Sequence, residues 1–142
     1  MYNLRGKSMK KKILIADDEP NISEPLKDLL ESQGYRVNVV PNGKKAFEAF
    51  RKALEKEPYA LIMLDIVMPQ MSGLEALAAI RNYENKLQTV PEERVPVIML
   101  SGLGDTWPQD AFATGASDYV VKPYDTKFLI RKIEKMLGKA AG

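Results

Sequence analysis

The chain has 142 residues and a formal net charge of +2, from 21 lysines and arginines against 19 aspartates and glutamates. A chain of that size buries about 68–70% of its unfolded surface, enough for one core without staples. It contains no cysteine and no histidine, which excludes disulfides, thiolate and imidazole metal sites, Ser-His-Asp triads and histidine general bases.

The N-terminal stretch MYNLRGKSMKKK is basic but runs directly into a strand-like alternation, without the apolar run of a signal peptide. Residues 1–10 are expected to form a leader, and Met9 ahead of three lysines is compatible with a second start site. Nothing approaches the ~20 apolar residues of a membrane span, and the lysines are dispersed over helical faces. These features point to a cytoplasmic chain with no membrane insertion and no direct nucleic-acid binding.

From Lys12 onward, short apolar runs alternate with segments of helical spacing. The predicted strands are Lys12–Ala16, Arg36–Val40, Ala60–Leu64, Val95–Leu100 and Ser117–Val121. The predicted helices are Asn21–Gln33, Gly43–Lys56, Ser72–Glu84, Trp107–Thr114 and Asp125–Leu137, three of them stopped by Gly34, Gly115 and Gly138. Residues 11–138 are thus expected to form one domain and 139–142 a tail. Five βα units define an α/β fold, a doubly wound five-stranded parallel sheet of flavodoxin-like order 2-1-3-4-5. The polar segment Asn85–Arg94 (NKLQTVPEER) exceeds an ordinary helix-to-strand loop and is expected to be a surface insertion.

In such sheets ligands sit outside the carboxyl ends of the strands, near the switch point between strands 1 and 3. Asp17 and Asp18 lie just past the carboxyl end of the first predicted strand and Asp65 just past that of the third, and Ser101 and Lys122 follow the fourth and fifth. Three carboxylates in one crevice repel, and a divalent cation relieves them; an all-oxygen donor set suits Mg²⁺. A carboxylate can also attack phosphorus to form an aspartyl phosphate. Lys122, the Ser101 hydroxyl and the N–H of Gly102 would then face the phosphoryl oxygens.

Each of these residues also has a plainer reading. Asp17, Asp18 and Glu19 suit a helix start, where acids cap and complement the dipole, and Asp65 could cap the third helix. Ser101-Gly102 suits a turn, Lys122 a solvated strand end, and Tyr119 a core aromatic. Met63, Met68, Met71 and Met99 read as gap-filling core and rim residues, and Lys127, Arg131, Lys132 and Lys135 as a solvated helical face. The shared placement of the acids, Ser101 and Lys122 at strand ends favours a site.

Taken in order, the acidic pair Asp17-Asp18, Asp65 in D-x-x-M-P-x-M-x-G form, Ser101 after VIML, and Tyr119 three residues before Lys122-Pro123 resemble the receiver domain of two-component response regulators. The resemblance runs from about Lys12 to Leu137. It implies that Asp65 accepts a phosphoryl group from a sensor histidine kinase or histidine phosphotransfer protein. It further implies that Asp17, Asp18, Asp65 and the Val67 carbonyl hold Mg²⁺, that Ser101 and Tyr119 switch on phosphorylation, and that the Lys122–Pro123 peptide is cis. The signal would pass to a downstream protein or to an output domain. Two departures stand out: the 85–94 insertion, and Gly102 where the family usually carries alanine.

A rival reading is a Mg²⁺-dependent phosphohydrolase of the haloacid dehalogenase type, which also uses a strand-end aspartate. Those enzymes place a second aspartate two residues on, and here that position is Val67. A pseudo-receiver that binds partners without phosphorylation is disfavoured by the full set of site residues. Val67 and Leu103, both apolar, fall where water would approach the phosphorus, so slow self-dephosphorylation is expected.

Overall fold

The computed structural model of the chain describes residues 10–102 and 108–138. Five strands, β1 (Lys12–Ala16), β2 (Arg36–Val40), β3 (Leu61–Asp65), β4 (Val97–Ser101) and β5 (Asp118–Val121), alternate with five helices. The helices are α1 (Pro20–Ser32), α2 (Gly43–Ala53), α3 (Gly73–Lys86), α4 (Pro108–Thr114) and α5 (Thr126–Leu137). The sheet is wholly parallel in the order β2-β1-β3-β4-β5, the order expected from the alternation. The expected leader and tail lie outside the described residues, apart from Lys10.

The strands read as continuous apolar runs because both faces of the sheet are covered. Leu14, Ala16, Ile62, Leu64, Val97 and Met99 pack on one side with Phe50 of α2, Leu77 and Ile80 of α3, and Ala111 of α4. The alternate residues Ile13, Ile15, Leu61, Met63, Ile98 and Leu100 pack on the other with Leu26 and Leu30 of α1 and Leu129 and Ile133 of α5. Full burial of one such side chain contributes about 1.5–3 kcal/mol, and the period of two ties the register to the core. On the first side, α2 and α3 also meet through aromatics, with the Tyr83 ring edge-on to Phe47 at 5.9 Å and to Phe50 at 6.2 Å.

Several boundaries differ from the sequence expectations. β3 and β4 each end one residue later than predicted, so Asp65 and Ser101 are the last residues of their strands. β4 starts at Val97, after Pro96, which has no N–H to give a ladder. Helix α2 stops at Ala53, and α3 runs on to Lys86, into the expected insertion. The remainder of that segment holds a short 3-10 turn at Pro91–Glu93. Helix α3 opens with a capping box, Ser72 accepting from the Glu75 N–H while the Glu75 carboxylate accepts from the Ser72 N–H. Trp107, the predicted start of α4, lies outside the described residues.

Candidate functional site

The parallel arrangement brings the carboxyl ends of β1, β3, β4 and β5 to one rim. Asp17 follows β1, held by its N–H donating to the Val40 carbonyl at 3.0 Å. Asp65 closes β3, and the chain beyond it is fixed by backbone bonds from Ile66 N–H to Leu100 O at 3.0 Å and from Gly73 N–H to Ile66 O at 2.8 Å. That return leaves no room for a side chain at residue 73, where a Cβ would stand 2.2 Å from the Asp65 carbonyl oxygen. Gly43, at the start of α2, backs the same loop, its N–H donating to Met71 O at 3.1 Å.

The buried carboxylates of Asp17 and Asp65 share one cation. The Lys122 ammonium lies 2.9 Å from Asp65 Oδ2 and 3.3 Å from Asp17 Oδ2. Lys122 arrives from β5 through a bond of its N–H to Ser101 O at 2.6 Å, and its peptide with Pro123 is cis, as the resemblance implied. Burial pushes the Asp65 carboxyl above the usual carboxylate range; Lys122 and the Val67 N–H oppose the rise, and Asp17 adds to it. Burial alone would lower the Lys122 ammonium, but its hydrogen bond to Asp65 and the charges of both acids outweigh that and hold it above its ordinary value.

Oxygens of Asp17, Asp18, Glu19 and Asp65 all lie within 4.8 Å of one another. One lysine does not balance that much negative charge, and an all-oxygen set of this size fits a hard divalent cation. The residues therefore suit Mg²⁺. Glu19, grouped with Asp17 and Asp18 at the helix start but not among the expected Mg²⁺ ligands, joins the three expected acids. At the start of α1, Glu19 is the N-cap residue but makes no side-chain cap, and Asp17 Oδ1 accepts the Glu19 N–H at 2.8 Å.

Ser101 is fully buried, its hydroxyl donating to the Gly102 carbonyl at 2.8 Å. Tyr119 is half-buried against the core on the α3–α4 side. Val67, whose N–H bonds the Asp65 carboxylate, is 61% exposed, and Leu103 lies outside the described residues. Tyr124, unremarked in the sequence, is close enough to feel the charges of Lys122, Asp17 and Asp65, although burial is the main reason its phenol is raised. Met63 and Met99 are fully buried, Met68 nearly so, and Met71 packs on the core rim.

This fold and rim define a receiver domain, and the response regulator receiver domain family matches residues 13–134, so the chain belongs to that family. Over 130 residues it is 32% identical to the transcriptional regulatory protein SrrA of Staphylococcus aureus, covering 91% of this chain and 48% of that protein. The chain thus spans about half the length of the curated relatives it matches. Among solved structures, the receiver domain of a Pseudomonas aeruginosa sensor histidine kinase, which has a magnesium ion coordinated in its active site cleft, is 30% identical. It superposes with a TM-score of 0.73 over 91% of this chain and 98% of that one. A response regulator receiver domain protein from Clostridium thermocellum is 27% identical, with a TM-score of 0.76 over 89% and 94% of the two chains. Among the described residues no helix is long and apolar enough to cross a membrane.

Proposed function

We propose that the chain is a phosphorylation-dependent switch whose acceptor is Asp65. The observation that carries this reading is the Lys122 ammonium 2.9 Å from Asp65 Oδ2, beside a second buried acid, at the end of a strand. An Asp65 oxygen attacks the phosphorus of a phosphohistidine on a sensor kinase or phosphotransfer protein. A P–O bond forms as the donor's P–N bond breaks, and the leaving imidazole nitrogen keeps the bonding pair and takes a proton from solvent. Lys122 favours the ionised, nucleophilic form of Asp65 against the effect of burial, then balances the added charge on the phosphoryl oxygens. Mg²⁺ held by Asp17, Asp18, Asp65 and the Val67 carbonyl, with Glu19 close by, would supply further charge neutralisation on those oxygens.

Ser101 is the responding residue in this reading. Its hydroxyl, now bonded to the Gly102 carbonyl, turns to donate to a phosphoryl oxygen, and the N–H of Gly102 donates beside it. Loss of the Ser101–Gly102 bond changes the exit from β4, and half-buried Tyr119 on the neighbouring strand repacks with it. The change is read by a protein partner or an attached output domain in the cytoplasm. Val67, two residues beyond the acceptor, gives no acid for the hydrolytic step of a phosphohydrolase. Acetyl phosphate with Mg²⁺, followed by intact-mass measurement, tests the reading. Wild type gains one phosphoryl group and Asp65→Asn none; equal labelling of the variant would refute it.

A further inference from the structure

At the opposite end of the sheet, a second polar cluster does no work in phosphoryl chemistry. Glu84, near the end of α3, is buried, and both its oxygens are used: Oε1 accepts from Arg81 Nη1 at 2.8 Å and Oε2 from the Val95 N–H at 2.8 Å. The same Arg81 amino group donates to Val95 O at 2.7 Å, and Arg81 Nε donates to Gly115 O at 2.9 Å. One guanidinium thus joins α3, the lead-in to β4 and the turn that ends α4.

The contact with Gly115 is built for glycine. Its φ is +119°, and a Cβ there would stand 2.9 Å from Arg81 Cγ. The turn is locked further by Gly115 N–H to Ala111 O at 3.1 Å and Ala116 N–H to Ala111 O at 3.0 Å. One step on, Ser117 and Val97 exchange two bonds, Ser117 N–H to Val97 O at 2.8 Å and Val97 N–H to Ser117 Oγ at 3.0 Å. By contrast, Ala111 is the one described α4 residue that is buried. The short helix is therefore tied hard at its C-terminal end and lightly along its length.

The neighbouring open cleft, about 450 Å³ and lined by Arg81, Arg94 and Ser117, does not read as an anion site. Glu84 neutralises Arg81, and the C-terminal ends of α3 and α4, which carry the negative end of the dipole, both face that side. The arginines serve the backbone instead.

We infer that the Arg81–Glu84 pair is a fixed pivot for α4: a change of state at the Ser101 end of β4 turns the helix about Gly115 rather than sliding it. The turning rests on the switch reading above, whereas the clamp itself does not. Because Glu84 and Val95 also bracket the 85–94 segment and bond to each other, that insertion closes on itself and leaves the pivot undisturbed.

Amide hydrogen exchange on the full chain tests both parts, in the unphosphorylated state and after acetyl phosphate with Mg²⁺. In wild type the Gly115 and Ala116 amides should keep their protection on phosphorylation while amides earlier in α4 change. In unphosphorylated Arg81→Met, Gly115 and Ala116 should exchange about tenfold faster, the loss expected when the bonds fixing the turn are removed. On phosphorylation their protection should now change, although the mass gain at Asp65 stays at one phosphoryl group. Arg81→Lys keeps a charge against Glu84 but not the fork, so it carries the test if the Met variant is too unstable, with the same direction expected. Unaltered exchange at Gly115 in the variants, or a wild-type change at Gly115 as large as that earlier in α4, overturns the pivot. A wild-type chain that takes no phosphoryl group counts against the switch reading instead, and the exchange of the unphosphorylated variants still decides the clamp.

Discussion

Lys122 Nζ and Asp65 Oδ2 meet at 2.9 Å although 57 positions separate them in the chain, and the same ammonium is 3.3 Å from Asp17. One ammonium thus serves two buried carboxylates, and its loss leaves both without that counter-charge. Lys122→Met should therefore destabilise the metal-free protein by on the order of 3 kcal/mol, the range for removing one partner of a buried pair. Added Mg²⁺ should recover part of the loss. Thermal unfolding in chelator and in Mg²⁺ checks this, and an unchanged melting temperature in chelator would contradict the role.

Asp65 gives a pH dependence of fixed sign. Its carboxyl is raised in the folded state, chiefly by burial, so the stability linked to its proton is fully present below the ordinary carboxylate value. That stability is lost as pH rises through the higher folded value. Asp65→Asn has no proton to lose, and Lys122 stays charged throughout the acidic range. In chelator, the stability of Asp65→Asn relative to wild type should rise as the pH climbs from the ordinary carboxylate value through the higher folded one. A relative fall over that range would reverse the sign and defeat the assignment.

The acid cluster predicts a metal effect. Wild type should gain melting temperature with Mg²⁺, reaching about 2.7 kcal/mol of stabilisation at a hundredfold excess over the dissociation constant. Asp18→Ala should lose most of that gain, while being no less stable than wild type in chelator, since one repelling charge is gone. Equal Mg²⁺ stabilisation of the two proteins would remove Asp18 from the site.

Signal lifetime should depend on Val67. Its exposed isopropyl group, two residues beyond the proposed acceptor, has no atom that can hydrogen-bond an attacking water. A well-placed polar group contributes about 10² to 10⁴ in favourable enzyme sites, so even a small part of that effect is measurable. Val67→Asn should speed loss of the phosphoryl group several-fold once the donor is removed. Decay no faster than wild type would show that water reaches phosphorus by another path.

The site was legible because the fold itself places ligands at strand ends, so the strand order alone gives an acid after an apolar run its neighbours. Asp17, Asp65, Ser101 and Lys122 were found that way. Glu19 stood beside them but outside the expected ligand set, because its position before α1 gave it a simpler local role. The Arg81–Glu84 clamp escaped for a related reason: an i,i+3 pair on a helix looks like a solvated pair, and its burial depends on Val95 and Gly115, which are remote in sequence. Strand ends shifted by a residue because periodicity locates an apolar run but not which of its amides find a ladder partner.

The loop beyond Asp65 separates two kinds of residue. Ile66, Met71 and Gly73 hold it in place through backbone bonds and close approach, whereas Val67, Pro69 and Gln70 face solvent. The frame that fixes Asp65, the proposed acceptor, thus draws little on the side chains nearest to it. A designer could retune how long the message lasts by rewriting those exposed positions alone, as one resets a timer without rebuilding the lamp it controls.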